Sequence, residues 1–327
     1  MLPIAVDAMG GDNAPHSIVA GARRAQEENA IPVVLVGRPD ELGDTGDLAV
    51  LPASEVIAMD ADPGSSVRTM KDSSLVRAAE AVRDGEASAM VSAGNTGATM
   101  ASALLRTGRI KGVSRPAIAT PIPGPSGTPT VLLDAGANAE CKEEWLVQFA
   151  QMGAIFARAR FGVAKPRIGL LSIGEEAGKG SPFVKETWKL LDEVDWKALD
   201  ADFIGNVEGR DLMGTEVDVA VTDGFTGNVA LKTLEGCAKN IVEALLAAFE
   251  STEETKAAAE QLYPALVPLY QRFDADSYGG AMLLGTKGPC IISHGSSSED
   301  AMVNAISVAS EMVELDVIGQ IHDAINA

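Results

Sequence analysis

Short runs of apolar residues alternate with longer amphipathic segments along almost the whole chain. The apolar runs are rich in β-branched residues and predict strands at 4–6, 33–36, 56–59, 89–91, 117–120, 131–133, 168–172, 203–204, 217–222 and 290–293. The longer segments have the period of an α-helix and predict helices at 17–28, 73–84, 96–107, 142–160, 182–193, 227–249 and 297–315. This alternation predicts an α/β fold of three layers, in which helices cover both faces of a mainly parallel sheet.

One segment, at about 236–278, departs from this alternation and predicts a protruding pair of long helices joined near 250–255. An apolar stripe runs along the pair, through Ile241, Leu245, Leu246, Phe249, Leu262, Leu266 and Tyr270. The basic polar face of a membrane-surface helix is missing from it. We therefore expect the stripe to pack in a dimer rather than on a membrane, and residues 1–327 to form a single domain.

Small and polar residues gather where five of the predicted strands end. The segments 7–12, 92–97, 134–138, 223–228 and 294–298 combine glycine with hydroxyl, amide or carboxylate side chains. The carboxyl ends of parallel strands share one edge of a sheet and lead into helix N-termini, whose open N–H groups suit anions. The pattern therefore predicts an anion site at one edge of the sheet.

Several function classes are disfavoured by what the sequence lacks. A GxxxxGK[ST] loop, a GxGxxG after the first strand and a GxSxG elbow are all missing. The net charge of −20 and the 4% of aromatic residues argue against a nucleic-acid partner. Cys141, Cys237 and Cys290 lack metal-ligand spacing, so we expect reduced thiols, no metal and no cofactor. Since no basic leader precedes the first strand, the expected location is the cytoplasm.

Longer motifs along the chain resemble those of the PlsX family, the phosphate acyltransferases of bacterial phospholipid synthesis. They occur in the same order at 4–15, 71–75, 91–98, 115–119, 169–180, 205–211, 221–236 and 288–298. The resemblance implies a fold similar to isocitrate and isopropylmalate dehydrogenases and to phosphotransacetylases, and a homodimer. It also implies transfer of a fatty acyl group from acyl carrier protein to inorganic phosphate. A membrane acyltransferase would use the acyl phosphate, and peripheral contact with the membrane is compatible with such an enzyme.

Candidate residues for that reaction follow from the loops. Those expected to bind phosphate are Asp7, Gly10, Gly11, Ser92, Gly94, Asn95, Thr96, Gly97, Asp223, Gly224, Thr226, Gly227, Lys232 and Ser296. Lys179 lies between two glycines and is the first choice for a cationic partner of the anion. Asn228 precedes Lys232 by one helical turn, so the two share a face and can bracket an oxygen atom. His294 is the candidate general acid for the leaving thiolate.

Basic residues concentrate in two stretches without acids, 101–133 and 145–174. In a chain this acidic they predict a docking surface for acyl carrier protein, which is itself acidic. The candidate docking residues are Arg106, Arg109, Lys111, Arg115, Arg158 and Arg160.

Two other functions stay open at this point. One is a short-chain phosphotransacetylase acting on acyl-CoA, and the other is a non-catalytic relative that acts as a binding protein. Substrate preference separates the first from the phosphate acyltransferase, and a lack of turnover would identify the second.

Overall fold

The computed structural model describes residues 1–125, 127–273 and 275–326, with the backbone alone over 269–273 and 275–276. In this part of the chain the strands are β1 Ile4–Asp7, β2 Val33–Gly37, β3 Ala49–Pro52, β4 Ala89–Ser92, β5 Ala117–Ile122, β6 Thr130–Leu133, β7 Arg167–Leu171, β8 Asp202–Val207, β9 Val219–Val221, β10 Ala281–Leu284 and β11 Cys290–Ile292. The helices are α1 His16–Asn29, α2 Pro63–Thr69, α3 Ser74–Arg83, α4 Thr96–Arg106, α5 Glu143–Phe161, α6 Pro182–Asp192, α7 Gly224–Phe249, α8 Glu253–Phe273, α9 Glu299–Glu314 and α10 Val317–Asn326.

All these strands join one sheet, in the order β3-β2-β1-β4-β11-β10-β5-β6-β9-β7-β8. Neighbours are parallel except at three successive pairs in the middle, β11–β10, β10–β5 and β5–β6. As a result, β6, β9, β7 and β8 run opposite to β1, β2, β4 and β11. The reversal is forced at β5–β6, because residues 123–129 are too few for the crossover that parallel strands require.

Side chains alternate across the sheet and build a core on each face. In β1, Ile4 and Val6 join one core and Ala5 joins the other. The first core is covered by α1, α5, α9 and α10, with Phe149 and Phe156 of α5 among its largest buried side chains. Helices α2, α3 and α4 cover the opposite face. The predicted three-layer α/β architecture with a mostly parallel sheet is confirmed.

The sequence pattern misplaced some elements. Residues 56–59 form no strand, and the neighbouring strand β3 lies earlier, at Ala49–Pro52. The pattern also missed β10, a run of four residues that follows the long helical segment directly, and the helices α2 and α10. Only two residues separate α9 from α10, so their hydrophobic periodicity is almost continuous in the sequence. The helix is broken at Asp316, whose φ is 47°.

The predicted helical pair corresponds to α7 and α8. Its apolar stripe is largely open to solvent in the single chain, with Ile241 61% and Leu262 52% exposed. Tyr270 of that stripe lies outside the residues whose side chains are described. Among the described helices, none carries an apolar stretch long enough to cross a bilayer.

The N-terminal turn of α7 packs directly on the loop after β6. A Cβ atom on Gly227 would lie 1.9 Å from the carbonyl oxygen of Asp134, and one on Gly224 would lie 2.5 Å from that of Asn138. Only glycine permits this approach of helix to backbone. The two glycines therefore set the position of the whole helix on the sheet.

We expect Gly227→Ala to lower the free energy of unfolding by at least about 1–3 kcal/mol, because the added methyl group has no room. Gly236→Ala, on the same helix, is the matched control. No atom lies within 4 Å of a Cβ there, and alanine should stabilise the helix by about 0.5–1 kcal/mol. Urea denaturation of both variants measures the difference, and equal effects would contradict this account of the packing.

Candidate active site

A cavity of about 420 Å³ lies between α7 and the sheet, and opens at the loops that follow β1, β4 and β11. Its volume is typical of a small-molecule site. Polar groups border it where these loops meet α7, at Asp12, Gly94, Thr96, Ser293, His294, Gly295, Asn228, Lys232 and Glu235. The remaining lining residues are mostly apolar.

The loops after β1 and β4 are held together by a buried carboxylate. Asp7 Oδ2 accepts a hydrogen bond of 2.8 Å from Ser92 Oγ, which in turn accepts one of 3.0 Å from the Gly94 N–H. A Cβ on Gly10 would lie 2.5 Å from Asp7 Oδ2 and 2.8 Å from the Gly94 Cα. Asp7, Ser92 and Gly10 therefore support this edge of the cavity without lining it. Gly94, which they hold in place, is a lining residue.

Burial raises the pKa of the Asp7 carboxyl above its ordinary value, and hydrogen bonds from Ser74, Ser92 and the N–H groups of Met9 and Gly10 act in the opposite direction. Since the side chain is only 2% exposed, it cannot contact a ligand in the cavity. Its role in this structure is to fix the loop backbones.

Asn95 and Thr96 begin α4 at the cavity mouth. The Asn95 side chain caps the helix by accepting a hydrogen bond of 2.9 Å from the Ala98 N–H, and it donates to the carbonyl oxygens of Met59 and Ala61. Asn95 is thus committed to the protein itself. Among the described residues the N–H groups of Thr96 and Gly97 have no hydrogen-bond partner, as is usual in the first turn of a helix. They provide donors for an anion.

His294 follows β11 on the other side of the mouth. Its Nδ1 lies 2.9 Å from Ser296 Oγ, and its Nε2 lies 3.4 Å from Lys232 Nζ. An ammonium group can only donate, so Nε2 is the acceptor in the contact with Lys232. Nδ1 faces Ser296, whose N–H also donates to it at 3.5 Å.

Lys232 reaches this position because α7 crosses from one edge of the sheet to the other. Near its start, Asn228 Nδ2 donates a hydrogen bond of 3.2 Å to the carbonyl oxygen of Ala135, beside the loop after β6. One turn later Lys232 meets His294, beside the loop after β11. Glu235 accepts a hydrogen bond of 2.8 Å from Lys232 Nζ and holds the ammonium group in place.

The loops after β6 and β9 lie at the opposite edge from those after β1, β4 and β11, since their strands run the other way. The prediction that all five loops share one edge is therefore wrong. Asp223 caps α7 by accepting 2.8 Å hydrogen bonds from the N–H and the hydroxyl of Thr226. Together with Gly224 and Gly227, these residues seat the helix and do not line the cavity.

Asp134 is a site-shaping residue that the candidate set lacked. Its Oδ1 accepts hydrogen bonds from the N–H groups of Ile118, Gly136 and Ala137, and its Oδ2 accepts two from Asn138. Burial raises the pKa of this carboxyl, and these donors oppose the shift. The carboxylate thereby ties the start of β5 to the loop that receives α7.

The structure brings only part of the candidate set to the cavity. Lining it are Gly94, Thr96, Asn228, Lys232 and His294. Gly11, Gly97 and Ser296 lie in the same loops without lining it. Lys179 is exposed in the loop after β7 and lies outside the lining as well, so its role as anion partner stays a prediction.

Residues at the cavity mouth that the candidate set lacked are Asp12, Glu235, Ser293 and Gly295. The helical spacing of Glu235, three residues after Lys232 and seven after Asn228, was the signal that could have found it. Asp12 and Gly295 lie within the glycine loops that the sequence had already singled out, and Ser293 directly precedes one of them.

Three of the predicted docking residues are engaged within the protein. Arg160 has a side chain only 8% exposed, donates to the carbonyl oxygen of Tyr278 and has its pKa lowered by burial. Arg158 donates to the carbonyl oxygen of Leu199, and Arg106 to that of Val67. The prediction that Arg160 forms part of an exposed docking surface is wrong.

Arg109, Lys111 and Arg115 are exposed and, among the described residues, none lies within 4.0 Å of a carboxylate oxygen. Arg115 stacks on the ring of Trp145 at 5.0 Å, and with Arg109 it borders an open depression. Lys287 joins this basic surface, since its N–H donates to the carbonyl oxygen of Gly108. We call these four residues the basic surface.

Comparison with known proteins identifies the family. The model of a family described as "Fatty acid synthesis protein" matches residues 2–320. A phosphate acyltransferase from Leptospira biflexa is 45% identical over 330 residues, which cover 98% of this chain and 96% of that protein. One from Elusimicrobium minutum is 47% identical, with 97% and 94% covered.

The chain belongs to the phosphate acyltransferase family. The resemblance to the PlsX family is thus confirmed, and members of this family are acyltransferases. A further phosphate acyltransferase, from Bacillus pumilus, is 44% identical over 98% of this chain and 97% of its own length.

Solved structures support the same architecture for this phosphate acyltransferase family member. The EutD phosphotransacetylase from Staphylococcus aureus superposes with a TM-score of 0.63 at 15% identity, covering 95% of this chain and 94% of its own. A 4-hydroxythreonine-4-phosphate dehydrogenase from Klebsiella pneumoniae superposes with a TM-score of 0.53 at 12% identity, covering 96% and 100%. At these identities the likeness shows the fold alone, and a specific relation to isocitrate and isopropylmalate dehydrogenases stays a prediction.

Because Asp223 caps α7, we expect two substitutions at this position to differ in their effect on the free energy of unfolding. Asp223→Ala should lower the free energy of unfolding by about 1 kcal/mol, because two donors at the start of α7 lose their acceptor. Asp223→Asn keeps an acceptor oxygen and should stay within a few tenths of a kcal/mol of the native chain. Chemical denaturation measures both, and an equal loss in the two variants would contradict the capping role.

Proposed function

We propose that this chain transfers a fatty acyl group from acyl carrier protein to inorganic phosphate, giving acyl phosphate and free carrier. Membership of the phosphate acyltransferase family supports the reaction type. The observation that carries the proposal is the arrangement at the cavity mouth. There Lys232 and Thr96, whose N–H group is open, line the same largely apolar cavity.

Phosphate would bind at this mouth. The N–H groups of the first turn of α4 carry the positive end of the helix dipole and suit an anion. The Lys232 ammonium adds a full positive charge, and Asn228 offers an amide on the same face of α7. Asp12 and Glu235 also border the mouth, and the positive charge of Lys232 offsets their negative charge there.

The chemistry needs no covalent enzyme intermediate, since a phosphate oxygen is itself a nucleophile. It attacks the thioester carbonyl, a C–O bond forms, and the tetrahedral intermediate then expels the carrier thiolate as the C–S bond breaks. Lys232 would stabilise the developing oxyanion and supply a proton to the thiolate. His294, which accepts from Lys232 and contacts Ser296 through Nδ1, would position that ammonium group rather than act as the acid itself.

The positions and pKa values of the cysteines agree with direct transfer to phosphate. Burial raises the pKa of the thiols of Cys141 and Cys290 to about 12, so both are protonated near neutral pH. Cys237 is exposed on α7 and does not line the cavity. Direct attack by phosphate therefore agrees with the thiols that the chain presents.

A second enzyme function, a short-chain phosphotransacetylase acting on acyl-CoA, is favoured by one observation. The EutD phosphotransacetylase shares the fold over 95% of this chain. The overall likeness at 15% identity does not extend to substrate choice. A non-catalytic binding relative is disfavoured by the Lys232–His294 pair at the mouth of the cavity.

The assembly and location that go with this function are also proposals. We infer a homodimer in the cytoplasm, in which the exposed apolar residues of α7 and α8 pack against a second copy. The acyl phosphate would pass to a membrane acyltransferase, with peripheral contact at the membrane. We further infer that the basic surface docks the acidic carrier protein, in place of the buried Arg160 and the engaged Arg158.

The reaction is tested by incubating the protein with palmitoyl-acyl carrier protein and phosphate, and trapping acyl phosphate with hydroxylamine. We expect product that depends on phosphate. Turnover with acetyl-CoA but not with the carrier would instead identify the phosphotransacetylase, and silence with both substrates would favour the binding protein.

Lys232→Ala should reduce kcat by roughly 10²–10³-fold in the same assay, the usual cost of losing one donor to a developing oxyanion. The matched control is Lys239→Ala, since Lys239 lies on the same helix but is 75% exposed and pairs with Glu243. A loss of similar size in both variants would contradict a role for the cavity lysine.

Carrier docking is tested by charge reversal. We expect Lys111→Glu combined with Arg115→Glu to raise the KM for acyl carrier protein by about an order of magnitude and to weaken its salt dependence, because rim charges steer association. Lys165→Glu combined with Lys189→Glu is the control, since both of these exposed lysines already pair with acids. Unchanged kinetics in the first double variant would exclude the basic surface as the docking site.

A further inference from the structure

The cavity continues away from its polar mouth as an apolar space. Its floor is the face of β5 that points to α7, with Ile118, Thr120 and Ile122 in alternate positions. Pro121 and Pro123 add apolar surface at the end of this strand, and Met213 lies beyond it. Ala281 and Ile292 close the side formed by β10 and β11.

The roof is a single face of α7. The residues that line the cavity are Asn228, Leu231, Lys232, Leu234, Glu235 and Ala238, a spacing of three and four that keeps them on one side of the helix. The polar ones belong to the first half of this run, apart from Glu235, which turns to Lys232. From Asn228 to Ala238 the roof is about 15 Å long, at 1.5 Å per residue.

The far end of the roof contacts a different hydrophobic cluster from the one beneath the mouth. Leu234 contacts the cluster of Ile122, Leu132 and Leu212, whereas Leu231 contacts both this cluster and the one containing Ile118. The cavity therefore has a charged side at the loops after β4 and β11. Across β10 and β5, towards β6, its other side is made of leucine, isoleucine, proline and alanine side chains. Its ligand should have the same two-part character, an anionic reacting end and a long apolar tail.

We propose that this apolar extension, between Ile122, Met213, Leu234 and Ala238, holds the hydrocarbon chain of the acyl group during transfer. The inference rests on the proposed function, because it assigns one part of that reaction's substrate to one part of the cavity. The thioester carbonyl then lies beside Lys232 at the mouth. The chain lies against β5 under α7.

Ala238→Phe tests the assignment, because a ring at that position fills the far end and leaves the mouth untouched. With a 16-carbon acyl group on the carrier, kcat/KM should fall about 10- to 200-fold, the discrimination that small size changes in an apolar pocket produce. With a 4-carbon acyl group it should change by less than about threefold, since so short a chain does not reach Ala238. Cys237→Phe, one residue away and exposed to solvent, is the matched control and should leave both chain lengths unaffected.

Ala238→Leu is a milder second variant and keeps the test decisive if the phenylalanine variant does not fold. It should show the same selective loss at 16 carbons, to a smaller extent. An equal loss at both lengths, or no loss at either, in a folded variant would overturn the acyl site.

Calorimetric titration with palmitate, against butyrate, separates this inference from the proposed function. Palmitate binding that is lost in Ala238→Phe and kept in Cys237→Phe supports the acyl site even if the chain forms no acyl phosphate. Acyl phosphate formation with a chain-length profile that Ala238→Phe leaves unchanged would overturn the acyl site while the reaction stands.

Discussion

The buried carboxylate of Asp134 supports the geometry of the whole site. Its two oxygens accept from the backbone of β5 and from three of the four residues that follow, and so they shape the loop after β6. Gly224 and Gly227 rest on that loop with no room for a side chain. This contact fixes the direction of helix α7, and the direction of the helix brings Lys232 next to His294. A carboxylate that touches no substrate thereby determines where the charged groups stand.

The reversal of strand direction in the middle of the sheet explains why such a helix is needed. The loops after β1, β4 and β11 form a compact polar rim, tied together through Asp7, Ser92 and Gly94. The loops after β6 and β9 form another at the opposite edge. A helix that starts at the second rim and passes over β5 places its own side chains at the first. The cavity under α7 is the space that this crossing encloses, with the first rim on its polar side and β5 beneath it.

Hydrophobic periodicity predicted most of the elements and the layered α/β fold, because alternation along a strand and along a helix is a local property. It could not give strand direction, which depends on pairing between distant segments. The short, proline- and glycine-rich connection at 123–129 was the local signal that β5 and β6 are antiparallel. Without it, the loops at 134–138 and 223–228 were assigned to the wrong edge. Asp223, Gly224, Thr226 and Gly227 were therefore taken for ligands, although they form a helix cap and its seat.

Helix α7 is continuous over Gly224–Phe249 and serves two parts of the molecule at once. Its first half roofs the cavity and carries Lys232, while its second half projects with α8 beyond the sheet and exposes Ile241, Leu245 and Leu246. From Lys232 to Phe249 it forms a rod of about 25 Å without a hinge. Because no break separates the two halves of α7, a tilt of the projecting pair together with α7 as one rigid body would also displace the roof of the cavity and Lys232.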